Sequence, residues 1–158
     1  MEELLAYRQE LLSALEGFVK QLSQVVAGIP PAIWQRNDEV GSPTPHYLLA
    51  HLCELEEQVF TIQLRRILDE AQPVLPRFDD FTWMADHYRP GLPAPLIFER
   101  FINLRLQEVD WLRGLPSASW SRTARHPWWG VHAFQWWVEL QLEYSRQHLR
   151  KLTAFLPL

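Results

Sequence analysis

The chain has 158 residues, 47% of them hydrophobic, a formal charge of -4 and a single cysteine; this is enough apolar material for one core, and one thiol excludes an intramolecular disulfide. Arginines and lysines are scattered singly apart from Arg65-Arg66 and Arg150-Lys151, so no basic stripe is available to neutralise a phosphate backbone, which argues against nucleic acid as a partner. No stretch approaches the roughly 18 to 20 apolar residues of a membrane span, and the acidic start MEELLAYRQELLSALEGF lacks the features of an export signal; residues 1–158 are therefore expected to form one cytoplasmic domain.

From Glu2 to about Ala27, Leu4, Leu11, Leu15, Phe18, Leu22 and Val25 recur at steps of three, four or seven, which predicts an amphipathic helix stopped by Gly28 and Pro30-Pro31. The following IPPAIWQRNDEVGSPTP is rich in turn formers and reads as a loop fastened to the body by Trp34. Thr44 and Pro45 read as N-cap and first position of a second helix, which runs to about Glu70 with Leu48, Leu52, Leu55, Val59 and Ile62 inward. Pro73, Pro76, Pro90, Pro93 and Pro95 mark a long crossover, within which FDDFTWMADHY forms a short aspartate-capped helix. A third long helix spans about Leu96 to Arg113, with Phe98, Ile102, Leu106, Val109 and Leu112 inward. A fourth runs from about Val131 to Phe155. With no strand signal, the pattern is all-α: a four-helix bundle with long crossover loops.

On the fourth helix Gln141, Tyr144, Ser145 and His148 fall on or beside the stripe that also carries Phe134, Trp137, Val138, Leu142 and Leu152. Polar groups on a core face need partners, because an unsatisfied one costs about 1–3 kcal/mol; these four either form a network or line a cavity. His51 lies at the margin of the second helix's stripe and meets His148 if the two helices are neighbours. A lone histidine there is ordinarily a satisfied boundary residue, and the run Glu54, Glu56, Glu57 ordinarily a solvated face. Cys53 points about 200° away from His51 and reads as a buried thiol. His46, His87, His126 and His132 show no ligand spacing. Trp136 and Leu140 sit off the core stripe and need cover, from the loop carrying Trp128 and Trp129 or from a second copy in a homodimer.

Two segments, PHYLLAHLCELEEQVF and HPWWGVHAFQWWVELQLEYSRQHLRKL, resemble the second helix and the loop and last helix of the DinB/YfiT-like superfamily, and the likeness in organisation extends over nearly the whole chain. The resemblance implies a divalent metal (Zn, Ni, Mn or Fe) held by a histidine of the second helix and an H-x-x-x-H pair of the last. His51 and His148 take the outer positions, and the middle one is Tyr144. A phenol titrates near 10 and ligates poorly until a metal deprotonates it. Family members with assigned activities include metal-dependent transferases that work through low-molecular-weight thiols. Two readings follow. One is a bundle with a degenerate metal site or a small-ligand pocket between helices two and four, with Gln141 and Ser145 as ligand or cofactor contacts. The other is a divalent-metal-dependent thiol transferase-like enzyme with His51 and His148 as ligands and Tyr144 as the catalytic group, either third ligand or proton donor.

Overall fold

The computed structural model describes residues 1–158. Helix α1 (Glu2–Gly28) ends where the Ile29 N–H bonds the Val25 carbonyl, just before two prolines. A 3-10 turn at Pro31–Ile33 leads to α2 (Pro45–Glu54), capped by Thr44, whose hydroxyl accepts the Tyr47 N–H at 3.1 Å. A π-helical segment (Leu55–Phe60) joins α2 to α3 (Thr61–Asp69) without a break. The short α4 (Asp80–His87), capped by Asp79, lies in the crossover to α5 (Ala94–Arg113). The last helix is α6 (Phe134–Thr153). α1 packs on α5 and α6, and α2 packs on the same two helices, so α2 and α6 are neighbours. No helix is long and apolar enough to cross a membrane.

The apolar core is divided into two large clusters and a small third one of Leu55, Val59 and Phe60. Of the large ones, the first gathers Leu15, Ile67, Val109, Phe134 and Trp137 and the second gathers Phe18, Leu22, Leu49, Phe101 and Leu152. Each fully buried side chain of this kind contributes about 1.5–3 kcal/mol. Between the clusters α2–α3 contributes Glu56, α5 contributes Arg105, and α6 contributes Gln141 and Ser145, all 1% exposed.

Several expectations need correction. Ile62 is 47% exposed, while Gln63, Leu64 and Ile67 are buried. The π segment is the cause: its wider turn inserts one residue, so the inward face downstream arrives one position later than an unbroken α-helix places it. On α5 the inward face carries Ile97, Phe101, Arg105 and Glu108, and Leu106 is exposed. An apolar stripe drawn without its two charged members is rotated off the true one. The Glu54, Glu56, Glu57 run is not one solvated face, since Glu56 turns into the core to meet Arg105.

Val131 does not open the last helix. It belongs to a two-stranded antiparallel hairpin, β1 (Thr123–His126) and β2 (Gly130–Ala133), in which Thr123 pairs with Ala133 and His126 with Gly130. Gly130 takes φ 77° at the turn, a conformation open to glycine without strain. Arg125 also exchanges backbone hydrogen bonds with Pro73 and Leu75, tying the crossover to the hairpin. Four residues per strand flanked by tryptophans leave little periodicity to detect. Trp136 is covered within the chain: His132 stacks on it at 3.6 Å and Trp129 meets it edge-on at 5.8 Å. Leu140 packs on the core as well, which leaves the expected homodimer without the open face that motivated it.

Candidate functional site

His51 and His148 meet. His148, near the end of α6 and 3% exposed, directs Nδ1 at the Tyr144 carbonyl at 2.8 Å. A carbonyl only accepts, so Nδ1 carries the proton and Nε2 is an acceptor. That Nε2 lies 3.0 Å from His51 Nδ1, which is therefore the donor of the pair. The other nitrogen of His51, Nε2, lies 2.9 Å from a carboxylate oxygen of Asp80, the first residue of α4. A complete set of hydrogen bonds thus needs one proton more than two neutral imidazoles and a carboxylate supply. Burial opposes that charge: it lowers the pKa of His51, against which the Asp80 hydrogen bond works in the raising direction. His148 is held neutral, its pKa brought down to about 4 by burial and, to a lesser extent, by the charge of His51. Asp80, half exposed, is the solvent end of a chain that can hold a proton and pass it inward.

Asp80 was not singled out in the sequence. FDDFTWMADHY opens with two adjacent aspartates, Asp79 and Asp80, where a cap requires one, and Asp79 performs the capping; the spare carboxylate is the signal. α4 is held over α2 by Trp83, whose indole N–H donates to Glu54 at 2.8 Å, and by the buried Met84.

Tyr144 gives its carbonyl to His148, but its phenol makes no hydrogen bond with either histidine. Its ring turns to Phe60, 5.9 Å away, and lines a cleft of about 120 Å³. Leu55, Val59 and Phe60 of the π segment form one wall, while Phe78, Trp128 and Trp129 come from the crossover and the hairpin. Asp80 reaches this cleft too, so it links the histidine pair to the cavity. Burial first, and the charge of Asp80 second, raise the pKa of Tyr144 and keep the phenol protonated.

Gln141 and Ser145 serve a different structure. Gln141 donates to Glu56; Ser145 donates to the Gln141 carbonyl at 2.9 Å and accepts from Arg105 at 2.6 Å. Arg105 also donates to Glu56 at 2.5 Å and to the Leu15 carbonyl at 3.2 Å, with Phe18 and Phe101 against its guanidinium. The geometry therefore gives Gln141 and Ser145 to the core network, where the ligand contact expected of them is not what occupies them. Cys53 is buried as expected, its thiol pushed up to about 12 by burial.

The chain belongs to the DinB superfamily, whose family model matches residues 14–152. Among solved structures it is similar to YfiT from Bacillus subtilis, described as a probable metal-dependent hydrolase with an unusual four-helix bundle topology, at a TM-score of 0.82 and 17% identity over 93% of this chain and 84% of that one. At that identity the likeness establishes the fold. No curated protein matches.

The fit of a divalent metal is decided by the donors present. Two features favour it: each histidine has its outer nitrogen oriented by an oxygen, and the inner nitrogens are 3.0 Å apart, close to the roughly 3 Å between neighbouring ligands at bonds of about 2.0–2.1 Å. The set stops there. No third His, Cys, Asp or Glu joins the pair, Asp80 sits on the opposite side of the His51 ring, and the Tyr144 phenol faces the cleft. The residues present do not complete a three-ligand centre.

Proposed function

We propose that the chain is a small-ligand-binding bundle in which the metal site implied by the family has degenerated. His51 and His148 then share a proton with Asp80, and the adjoining cleft between the π segment and α6 takes the ligand. The observation that carries this is the direct hydrogen bond between the two imidazoles, with Tyr144 turned away from them. Asp80 and His51 would orient a ligand and exchange a proton with it at the cleft's edge, and Tyr144 would donate from its phenol. A second reading, a divalent-metal-dependent thiol transferase-like enzyme on His51 and His148, draws on the oriented outer nitrogens described above. Elemental analysis of protein purified without an affinity tag or chelator separates the two. The proposal expects far less than one metal per chain after Zn, Ni, Mn or Fe is offered, and stoichiometric metal lost in His51→Ala overturns it.

A further inference from the structure

α4 is fastened to the molecule at its ends rather than along its length. The chain entering it is pinned at the hairpin, where the Leu75 N–H donates to the Arg125 carbonyl at 2.8 Å and the Arg125 N–H donates to the Pro73 carbonyl at 3.0 Å. The chain leaving it is pinned at the start of α2, where His46, 2% exposed, bridges the Tyr88 hydroxyl at 2.8 Å and the Leu92 carbonyl at 2.5 Å. Between these anchors α4 buries one side chain, Met84, and leaves Phe81 exposed. It takes no part in the close backbone packing that joins the long helices. A cavity of about 380 Å³ lies against it instead, lined by Cys53 and Glu54 of α2, Trp83 and Met84 of α4, and Ile97 and Arg100 of α5. A segment with one buried side chain beside unfilled space belongs to the low-stability end of a fold.

Two polar contacts hold the middle of α4 down: Asp80 meets His51 Nε2 at 2.9 Å, and the Trp83 indole N–H donates to Glu54 at 2.8 Å. Neither leaves an orphan when it parts. Asp80 is half exposed and passes to water, while Glu54 keeps Arg100 at 3.2 Å. The indole is stacked on His87 of the same helix at 3.8 Å and travels with it. The penalty that ordinarily opposes separation of buried polar partners is therefore small here.

We propose that α4 is a lid over the histidine pair, lifting from α2 about its two anchors and carrying Asp80 away so that His51 Nε2 is uncovered. This rests on the reading of His51 and His148 as the site and adds how a ligand reaches them.

The chain's single thiol supplies the test, because Cys53 is 1% exposed and lines the cavity under α4. Its modification by DTNB in the full chain should proceed through lifting of α4. Trp83→Phe, which removes a hydrogen bond to a carboxylate, should speed it about tenfold, and Asp80→Ala, which removes a half-exposed carboxylate, about threefold. Ser145→Ala weakens the buried layer without touching α4 and should leave the rate unchanged. In wild type the rate should depend only weakly on urea below the unfolding transition, since a lifting helix exposes little surface. If Ser145→Ala speeds the reaction as much as Trp83→Phe does, or the rate follows urea as steeply as unfolding, the thiol is reached by global unfolding and the lid is overturned. An unchanged rate in Trp83→Phe overturns it as well. Acceleration in Trp83→Phe with none in Asp80→Ala overturns the link between the motion and His51. Should Trp83→Phe fail to fold, Asp80→Ala and the urea dependence of wild type decide. These rates involve neither metal nor ligand, so the reading of the site stands or falls separately, on the elemental analysis.

Discussion

Tyr144 and Ser145 are consecutive on α6, about 100° apart around the helix, and they belong to two polar regions of opposite character. Ser145 faces a layer in the middle of the core where Glu56, Arg105 and Gln141 are 1% exposed and hydrogen-bond one another or Ser145, Gln141 Oε1 being the one side-chain atom of the layer left unpaired. Tyr144 faces a cleft where the Asp80 carboxylate is half exposed and the phenol makes no hydrogen bond within the chain. The comparison teaches how to divide polar residues on a core-facing stripe. Those that satisfy one another specify how the helices pack, whereas those left unsatisfied beside a cavity point to something the chain binds.

If that division is right, the interior layer should be by far the more sensitive to truncation. Arg105→Met leaves Glu56 buried without a cation and is expected to destabilise the fold by about 3–5 kcal/mol, read from urea denaturation midpoints. Replacing both partners, as in Glu56→Leu with Arg105→Met, should recover much of that loss. A loss below about 1 kcal/mol in the single variant would mean that the layer is hydrated and the division misplaced.

Acid acts with opposite sign on two buried groups, His148 of the histidine pair and Glu108 on the inward face of α5. The folded pKa of His148, about 4, lies below the ordinary 6.5, so the unfolded chain binds the extra proton first. Its contribution is complete above pH 6.5, declines as pH falls towards 4, and amounts to about 3 kcal/mol over the window. Glu108 acts in the opposite sense: burial pushes its carboxyl up to about 7 from 4.5 despite Arg65 beside it, so its contribution is lost as pH rises through that range. Stability measured between pH 4 and 7 in a Glu108→Gln background should rise with pH, and adding His148→Gln should flatten the curve.

The cleft region can also be pushed back towards a metal. Tyr144 stands four residues before His148 on the same helix, so Tyr144→His supplies a third imidazole near the existing pair. At a hundredfold excess over its dissociation constant, Zn or Ni should then add about 2.7 kcal/mol of stability, reversed by chelator and much smaller in wild type. A folded variant with no such gain would show that the three positions do not converge.

Much of this was legible in the sequence for definite reasons. Leu11, Leu15, Phe18, Leu22 and Val25 are buried on α1 as expected, although Leu4, expected on the same face, is 41% exposed, and Thr44-Pro45 caps and starts a helix as expected. The meeting of His51 with His148 followed from their helix faces once the helices were taken as neighbours. What stayed hidden depended on pairs far apart in the chain. Arg105 reads as surface until Glu56 is found opposite it, and each hides the other. The π segment has no sequence signature of its own and betrays itself only as the one-residue slip that exposes Ile62. Gln63 and His126 come to line one cleft only when the crossover and hairpin close over α3.

The smallest expected effect is the finest test, because it compares the two neighbours directly by removing one hydroxyl from each. In Ser145→Ala the lost oxygen was an acceptor for Arg105 and a donor to the Gln141 carbonyl, inside a layer closed to solvent. An Arg105 N–H is left without its partner, which should cost about 1–3 kcal/mol. In Tyr144→Phe the lost hydroxyl had no hydrogen bond to any protein group, and the ring that packs on Phe60 remains; the change in stability should stay within about 0.5 kcal/mol. Matched denaturation curves of the two variants therefore weigh the regions atom for atom. Equal losses would show that the Tyr144 phenol is held by the fold after all, and its availability to a ligand, on which the cleft's role as a binding site partly depends, would be withdrawn.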